Sequence, residues 1–287
     1  MRGVNIIPEI TRADTGLGTT FERWALNCVL ARLQARSSLH AVFEGPDDGM
    51  TGIAGLNSLT LGLQSAQVTL LLPEPARADF ARSVWAMHAP EARPTIQASW
   101  DGRRLPFDDD TFDLAWNFNV MAQQTDPGRL LSELCRISRK YVLVCVPNRS
   151  NYSFWLHQLH HRVAHQPWPH GQVELMQPAP WRKMLAERGF ETREVFWLDC
   201  PWWPDVVDPG QLIADFFPFL KGAVRRARPE NRYRWEAQDL PYYRPDIYPQ
   251  VHRQMESLAF FENSRLEWLK RLFAHHTGIL AERDRCA

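Results

Sequence analysis

An excess of positive charge is missing from this sequence. Its 33 lysine and arginine residues are balanced by 33 aspartate and glutamate residues, so the formal net charge at pH 7 is zero. Proteins whose main task is to coat nucleic acid or an anionic membrane usually carry a basic surplus. The balance therefore predicts that nucleic acid is not the partner.

Cysteines and long apolar runs are also scarce. The five cysteines, at positions 28, 135, 145, 200 and 286, have no regular spacing and form no C-x-x-C pair, which argues against a disulfide framework and excludes a zinc ribbon. The longest strongly apolar run, VTLLL at 68–72, is far shorter than the about 20 residues of a membrane helix. The first residues also lack the apolar segment of a signal peptide. We therefore expect a soluble, cytoplasmic protein with no membrane span.

Short apolar runs are present instead, and helical segments separate them. The runs cover residues 40–43, 68–72, 95–98, 112–116 and 141–146. The intervening helices are expected at 75–87, at 126–138 with Asp126 as N-cap and Pro127 in the first turn, and at 181–188 before Gly189. Nearly continuous apolar strands that alternate with helices are typical of a parallel sheet covered on both faces. We predict a doubly wound α/β domain over residues 38–200.

The two ends of the chain have a different character. Residues 1–37 are expected to form a helical extension, whose helix begins near Thr19 because Thr19 and Glu22 fit a capping box. Residues 201–273 form an insert rich in proline and aromatic residues. Apolar residues from Met255 to Phe273 share one face of what is predicted to be a single long helix. Residues 274–287 are interpreted as a last strand and tail.

Candidate ligand-binding residues follow the predicted strands, since open α/β sheets bind ligands beyond the carboxyl ends of their strands. After the first strand, Glu44 opens a loop with glycines at 45, 49, 52 and 55. Glu74 follows the second strand and could accept both hydroxyl groups of a ribose. The alternatives remain open: the glycines could form an ordinary tight turn, and Glu74 could simply favour the start of a solvated helix.

The segment DGRRLPFDDDTFDL, residues 101–114, is the most specific motif. It closely resembles class I S-adenosylmethionine-dependent methyltransferases, in particular the type 11 group related to the ubiquinone and menaquinone methyltransferases. The similarity extends through Asp126-Pro127, the helix with Glu133 and Arg136, and the helix before Gly189-Phe190. The resemblance implies a Rossmann-like sheet of seven strands with the last one antiparallel, an N-terminal helix and a mostly helical C-terminal insert.

The resemblance also implies the cofactor and the residues that bind it. S-adenosylmethionine would be bound through its methionine part by the first loop, through its ribose by Glu74, and through its adenine by Asp101 with Gly102. Asn117 and Phe118 would lie near the sulfonium. The first loop would contribute Glu44, Gly45, Gly49, Met50, Thr51 and Gly52. This loop departs from the family pattern, because extra residues separate Glu44 from the Gly49–Gly52 turn.

Two other classes of function stay open. One is a non-catalytic, methyltransferase-like module that binds a partner through its aromatic insert. The other is a nicotinamide-dependent oxidoreductase, which would need a tight G-x-G-x-x-G motif that residues 44–55 do not supply.

The acceptor is expected to be a small or lipid-like molecule. Asn117-Phe118-Asn119 lacks the prolines of the motif that methyltransferases of base amino groups use. Cytosine C5 methyltransferases need a Pro-Cys nucleophile, whereas the only adjacent pair here has the reverse order, Cys200-Pro201. If the acceptor must lose a proton, His170 or His161 is the candidate base. Histidines at 157, 161 and 165 share a helical stripe, but no nearby carboxylate completes a zinc site, so no metal is assigned.

The insert is expected to cover the cofactor cleft. Its aromatic residues are too many to remain in water. We predict that they form a lid beside residues 157–170 and line an apolar acceptor pocket; packing on the sheet edge, or on a second copy in a homodimer, is the alternative. The residues concerned are Trp202, Trp203, Phe216, Phe217, Phe219, Tyr242 and Tyr243.

Overall fold

The computed structural model describes residues 10–47, 52–163, 168, 171–203 and 232–284. The strands are β1 (Ala13–Thr15), β2 (Ala41–Glu44), β3 (Gln67–Leu71), β4 (Thr95–Gln97), β5 (Phe112–Phe118), β6 (Ser138–Pro147), β7 (Phe190–Leu198), β8 (Arg234–Glu236) and β9 (His276–Arg283). The helices are α1 (Leu17–Ser37), α2 (Leu59–Leu63), α3 (Pro75–His88), α4 (Pro127–Ile137), α5 (Phe154–Val163), α6 (Pro178–Ala186), α7 (Tyr248–Leu258) and α8 (Glu267–Phe273). None of the helices in these ranges is long and apolar enough to cross a membrane.

Seven of the strands form one mixed sheet in the order β4-β3-β2-β5-β6-β9-β7. The pairs from β4 through β6 are parallel, whereas β9 runs antiparallel to both β6 and β7. The prediction of a Rossmann-like seven-stranded sheet with an antiparallel last strand is confirmed. Because β9 is antiparallel, its first residue, His276, lies at the same edge as the carboxyl ends of the parallel strands, opposite Pro147 and Leu198.

Helices cover both faces of the sheet, which explains why the central strand β5 is buried along its whole length. All seven residues of β5 are buried. Leu114 and Trp116 pack in the core with α1 and α3, whereas Phe112 and Ala115 pack in the core with α4 and α6. Sequence alternation is therefore absent from this strand, as is usual for a parallel sheet covered on both sides.

The structure confirms the predicted start of one helix and contradicts the predicted start of another. The side chain of Asp126 accepts a hydrogen bond of 2.9 Å from the Arg129 amide, so it is the N-cap of α4 as predicted. The Thr19–Glu22 capping box is wrong, because α1 begins at Leu17 after Gly16. Glu22 therefore lies in the second turn, where its carboxylate reaches His276 across the molecule.

The single long helix predicted over 255–273 is also wrong. The structure has α7 and α8 instead, separated by residues 259–266. In this break the partly buried Glu262 carboxylate accepts a hydrogen bond of 2.8 Å from the Cys200 amide, and the Phe261 ring stacks on Phe273 with 3.7 Å between centroids. These tertiary contacts outweigh the local helical periodicity.

Candidate active site

The candidate site lies at the carboxyl edge of the sheet, where the strand order changes direction. The chain runs outward from β2 through β3 to β4, then returns to place β5 on the other side of β2. A crevice opens at such a point because the connections leave the sheet in opposite directions. The loops after these strands contain the cofactor-binding residues that were predicted from the sequence.

Glu44 ends β2 and points into the protein rather than toward solvent. Its carboxylate accepts hydrogen bonds of 2.9 Å from the Asn57 side chain and from the Ser58 amide. Burial, followed by the nearby charge of Asp47, raises the pKa of Glu44 to about 7, against the lowering effect of these hydrogen bonds. Glu44 thus connects the C-terminal end of the glycine loop, at Asn57 and Ser58, to the end of β2.

Gly45 is required by close packing against the neighbouring strand. Its φ is +151°, and a Cβ placed there would come within 2.5 Å of the Leu71 Cβ. Residues 48–51, which include the predicted cofactor residues Gly49, Met50 and Thr51, lie outside the described residues. The described end of the loop resumes at Gly52, whose φ of +104° favours glycine.

A buried ion pair lies next to Gly52, and it was not predicted from the sequence. The Arg23 guanidinium, from α1, donates to both carboxylate oxygens of Asp14, to the Asn57 side chain at 3.1 Å and to the Ile53 carbonyl at 3.4 Å. Both charged side chains are almost completely buried. Since Asn57 in turn contacts Glu44, the N-terminal segment and the first loop form one polar network.

Glu74 is the N-cap residue of α3 and has one oxygen without a hydrogen-bond partner. Its Oε2 pairs with Arg77 Nε at 2.7 Å, whereas Oε1 is buried and makes no hydrogen bond. Native proteins rarely leave a buried polar atom in this state, and a missing ligand is one explanation. The position, just beyond β3, is the one that the ribose assignment requires.

Asp101 and Gly102 follow β4 at the rim of an open depression of about 400 Å³. Both residues are exposed, and the Asp101 carboxylate accepts a hydrogen bond of 2.8 Å from the Arg103 amide. The indole Nε1 of Trp100, which also lines the depression, is buried without a hydrogen-bond partner. This surface therefore offers the Asp101 carboxylate as an acceptor to a planar polar ligand, and the Trp100 donor becomes available only if the indole shifts.

Asn117 holds two loops together at the end of β5. Its Nδ2 donates to the Pro46 carbonyl at 2.8 Å, and its Oδ1 accepts from the amides of Val120 and Met121, each at 3.1 Å. These contacts leave the amide group little capacity for a ligand. The neighbouring Phe118 ring is buried and lies 5.0 Å from the His276 ring.

The histidines singled out from the sequence lie beyond β6. His161 Nε2 is 3.2 Å from His157 Nε2, and both rings pack around Trp168. His157 also lines a small gap together with His275. His170 lies outside the described residues, so its predicted role as a base stays a prediction.

A second polar cluster at this edge was not predicted, and we call it the edge cluster: Glu22, Asp199, His275 and His276. His275 Nδ1 is 2.8 Å from Asp199 Oδ2, and His276 Nε2 is 3.4 Å from Glu22 Oε2 and 3.7 Å from Asp199 Oδ2. Burial raises the pKa of Glu22, although His276 opposes this rise. Burial lowers the pKa of His276, but the Glu22 carboxylate outweighs it, and the net direction is upward.

One signal in the sequence could have revealed this cluster. The two adjacent histidines, 275 and 276, stand where the closing strand begins, and Asp199 stands directly after β7. Since an antiparallel closing strand must begin at the carboxyl edge, its first residues face the same crevice as the loop residues. Glu22 could not have been included, because only the path of α1 brings it there.

Comparison with known proteins agrees with this geometry. Residues 52–145 match a family model, Methyltransf_11, described as a methyltransferase domain. This part of the chain is therefore similar to the methyltransferase domains of that family. S-adenosylmethionine binding is typical of this family. The comparison with curated protein sequences finds no match.

Solved structures with a similar fold are distant in sequence. Magnesium protoporphyrin IX methyltransferase from Synechocystis PCC 6803, with bound SAH, is 17% identical, with a TM-score of 0.48 over 69% of this chain and 83% of that one. The YcgJ protein from Bacillus subtilis is 12% identical, with a TM-score of 0.48 over 91% of this chain and 98% of that one.

Proposed function

We propose that the protein transfers the methyl group of S-adenosylmethionine to a small-molecule or lipid-like acceptor. The observation that carries this proposal is the pair of unsatisfied buried polar atoms at the ends of neighbouring strands, Glu74 Oε1 and Trp100 Nε1. A ribose hydroxyl can donate to the first, and a ring nitrogen of adenine can accept from the second once the indole shifts. The residues present therefore fit the nucleoside part of the cofactor.

In this proposal each residue has a binding or positioning role. Glu74 binds the ribose, Asp101 and Gly102 bind the adenine, and Phe118 borders the place where the acceptor enters. Glu44, Gly45 and Asn117 hold the loops in position. The bound cofactor supplies the electrophilic methyl group, and the protein contributes proximity and orientation, which can account for much of the acceleration of such a reaction.

The insert is proposed to act as the lid of this site. Its described part lies on the same side as the first loop: the Tyr243 hydroxyl donates to the Leu56 carbonyl at 3.1 Å, and the Trp235 indole donates to Thr20 at 3.0 Å. The Trp203 ring packs against Phe21 with 5.6 Å between centroids. Phe216, Phe217 and Phe219 lie outside the described residues. These contacts support a lid over the side of the crevice that is formed by α1 and the first loop.

Titration calorimetry with S-adenosylmethionine and S-adenosylhomocysteine tests the proposal. We expect both ligands to bind at one site per chain. Incubation with methyl-labelled cofactor and either the aqueous or the organic-soluble fraction of a cell extract should then label a small molecule or a lipid. Labelling of nucleic acid alone, or no binding of either ligand, would contradict the proposal.

A second candidate is the non-catalytic module, and one observation favours it. The polar side-chain atoms of Glu44 and Asn117, which the resemblance assigns to the cofactor, are instead engaged by other residues of the protein. If neither ligand binds the full-length protein, this candidate replaces the enzyme.

A further inference from the structure

We propose that Glu22, Asp199 and His276 bind a divalent metal ion at the carboxyl edge of the sheet. Within the described part of the chain, this is the group of potential ligands whose donor atoms all lie within 4.8 Å of one another. The three residues come from α1, from the end of β7 and from the start of β9. The pairing of Leu198 with His276 in the sheet brings the last two together.

The distances between the donor atoms fit a metal site better than a hydrogen-bonded ion pair. His276 Nε2 lies 3.4 Å from Glu22 Oε2 and 3.7 Å from Asp199 Oδ2. A charge-assisted N–H···O bond would be about 2.7–2.9 Å long. Metal–ligand bonds of about 2.0–2.2 Å place neighbouring ligand atoms roughly 3–3.6 Å apart. The distance from His276 to Glu22 falls in this range and the distance from His276 to Asp199 lies slightly above it, so a small inward shift of Asp199 would let the three atoms surround an ion.

The orientation of His276 also suits a metal ligand. Its Nδ1 lies 3.0 Å from the side-chain oxygen of Asn119, an atom that can only accept a hydrogen bond. Nδ1 therefore carries a proton, and Nε2 is the ring atom that faces the two carboxylates, where an ion would replace its proton. A histidine whose second nitrogen donates to a fixed oxygen is the usual arrangement around protein-bound metals.

Asp199 supplies an independent observation. Its side chain is 2% exposed, and its Oδ1 is buried with no hydrogen-bond partner, while Oδ2 is held by His275. Asp199 also has a φ of +58°, which is uncommon for a residue other than glycine. Both a buried unsatisfied oxygen and a backbone in this region cost free energy. A cation bound by both carboxylate oxygens of Asp199 would satisfy Oδ1 and offset part of this cost.

The donor set identifies the class of ion. One imidazole and two carboxylates suit first-row transition metals and zinc better than magnesium or calcium, which prefer all-oxygen sites. Glu22 is 18% exposed, so an ion can enter from the side of α1. If the proposed methyl transfer is correct, an ion next to Phe118 would also bind an oxygen of the acceptor, which favours a hydroxyl or carboxylate acceptor.

Metal binding is measured on the full-length protein after treatment with a chelator, without any cofactor. We expect Zn²⁺ and Co²⁺ to bind with one ion per chain in titration calorimetry, and Co²⁺ to give a visible absorption spectrum of a mixed N/O site. Mg²⁺ should bind at least tenfold more weakly. Glu22→Gln and Asp199→Asn should each weaken Zn²⁺ binding at least tenfold.

His161→Asn is the matched control, because His157 and His161 form the other close histidine pair, and this variant should retain binding. Glu22→Gln carries the test if Asp199→Asn fails to fold, since Glu22 lies partly exposed on a helix. Absence of Zn²⁺ and Co²⁺ binding, or binding lost in His161→Asn but kept in Glu22→Gln, would overturn the proposal. None of these readouts depends on methyl transfer, so failure of the proposed function is recognised separately, by the cofactor titration.

Discussion

At the scale of single residues, the carboxylates of this edge differ in environment although the sequence presents them alike. Glu44 is buried and held by two hydrogen-bond donors, Glu74 has one paired and one unpaired oxygen, and Asp101 is exposed. Burial penalises the charged form of Glu44 and raises its pKa to about 7. Glu74 instead has an oxygen, Oε1, without a hydrogen-bond partner, and a ligand hydroxyl can donate to it.

Glu44 should make the stability of the protein depend on pH in a defined window. Its pKa in the folded state is about 7, above the ordinary value of 4.5, so the folded state holds the proton more tightly than the unfolded state. The stability from this group is complete below pH 4.5 and is lost as the pH rises to about 7, by as much as about 3 kcal/mol. Glu44→Gln removes this titration.

Urea unfolding at several pH values measures the effect. The free energy of unfolding of the wild type, minus that of Glu44→Gln, should fall as the pH rises through this window and stay constant on either side. The glutamine changes the hydrogen bonds by an amount independent of pH, so only the slope is compared. Parallel profiles for the two proteins would show that Glu44 does not titrate there.

Glu74 should control cofactor affinity. Two hydroxyl contacts to a carboxylate are worth about 1.5–3 kcal/mol each, and tenfold in affinity corresponds to about 1.4 kcal/mol. Glu74→Ala should therefore weaken S-adenosylhomocysteine binding at least tenfold in calorimetry, while the fold survives. Asp79→Ala, at an exposed position of the same helix, is the control and should bind as the wild type does. Equal affinities in a folded Glu74 variant would refute the ribose assignment.

At the scale of elements, the motif that carries the family resemblance acts as a scaffold between β4 and α4. The Arg136 guanidinium donates to the carbonyls of Leu105 and Phe107, at 3.0 and 2.8 Å, and pairs with Glu133. Glu133 in turn accepts from the Leu105 amide at 2.7 Å. The helix therefore fixes the Leu-Pro-Phe segment, which follows Asp101 and Gly102.

Arg136→Ala should destabilise the protein, because it leaves two backbone carbonyls without this donor and removes the ion pair with Glu133. Hydrogen bonds to charged groups are worth about 1.5–3 kcal/mol, so a loss of roughly 2–3 kcal/mol is expected in urea unfolding. Arg82→Ala, which removes an arginine from an exposed ion pair on α3, should change stability by less than about 0.5 kcal/mol. A comparable loss in both variants would argue against a scaffold role for Arg136.

At the scale of the whole molecule, segments that are distant in sequence pack together beside the first loop. The strand β1 pairs with β8 of the insert, and Asp14 of β1 forms the buried ion pair with Arg23 beneath Gly52. The N-terminal segment, the insert and the first loop therefore form one packed unit. A buried charge in this unit cannot lose its partner cheaply.

Asp14→Asn should destabilise the whole protein. The substitution leaves the Arg23 charge buried without its anionic partner, and breaking such a pair costs about 3–5 kcal/mol. Asp79→Asn, in the exposed pair with Arg82, should cost less than about 1 kcal/mol. Thermal and urea unfolding measure both variants, and a small effect of Asp14→Asn would show that water reaches Arg23.

The sequence by itself determined the five parallel strands, the helices α3, α4 and α6, and the family motif. Each rests on local periodicity or on residues close in sequence, such as Asp126 capping its own helix, so each could be predicted without the path of the chain. Only the tertiary structure decided the edge cluster and the support of Gly52. Glu22 and His276 are 254 residues apart, and Arg23 and Asn57 are 34 apart. No local pattern encodes such pairs, because they depend on strand order and on the path of α1. The same long-range packing ended α7 at Leu258, where the sequence pattern predicted an unbroken helix.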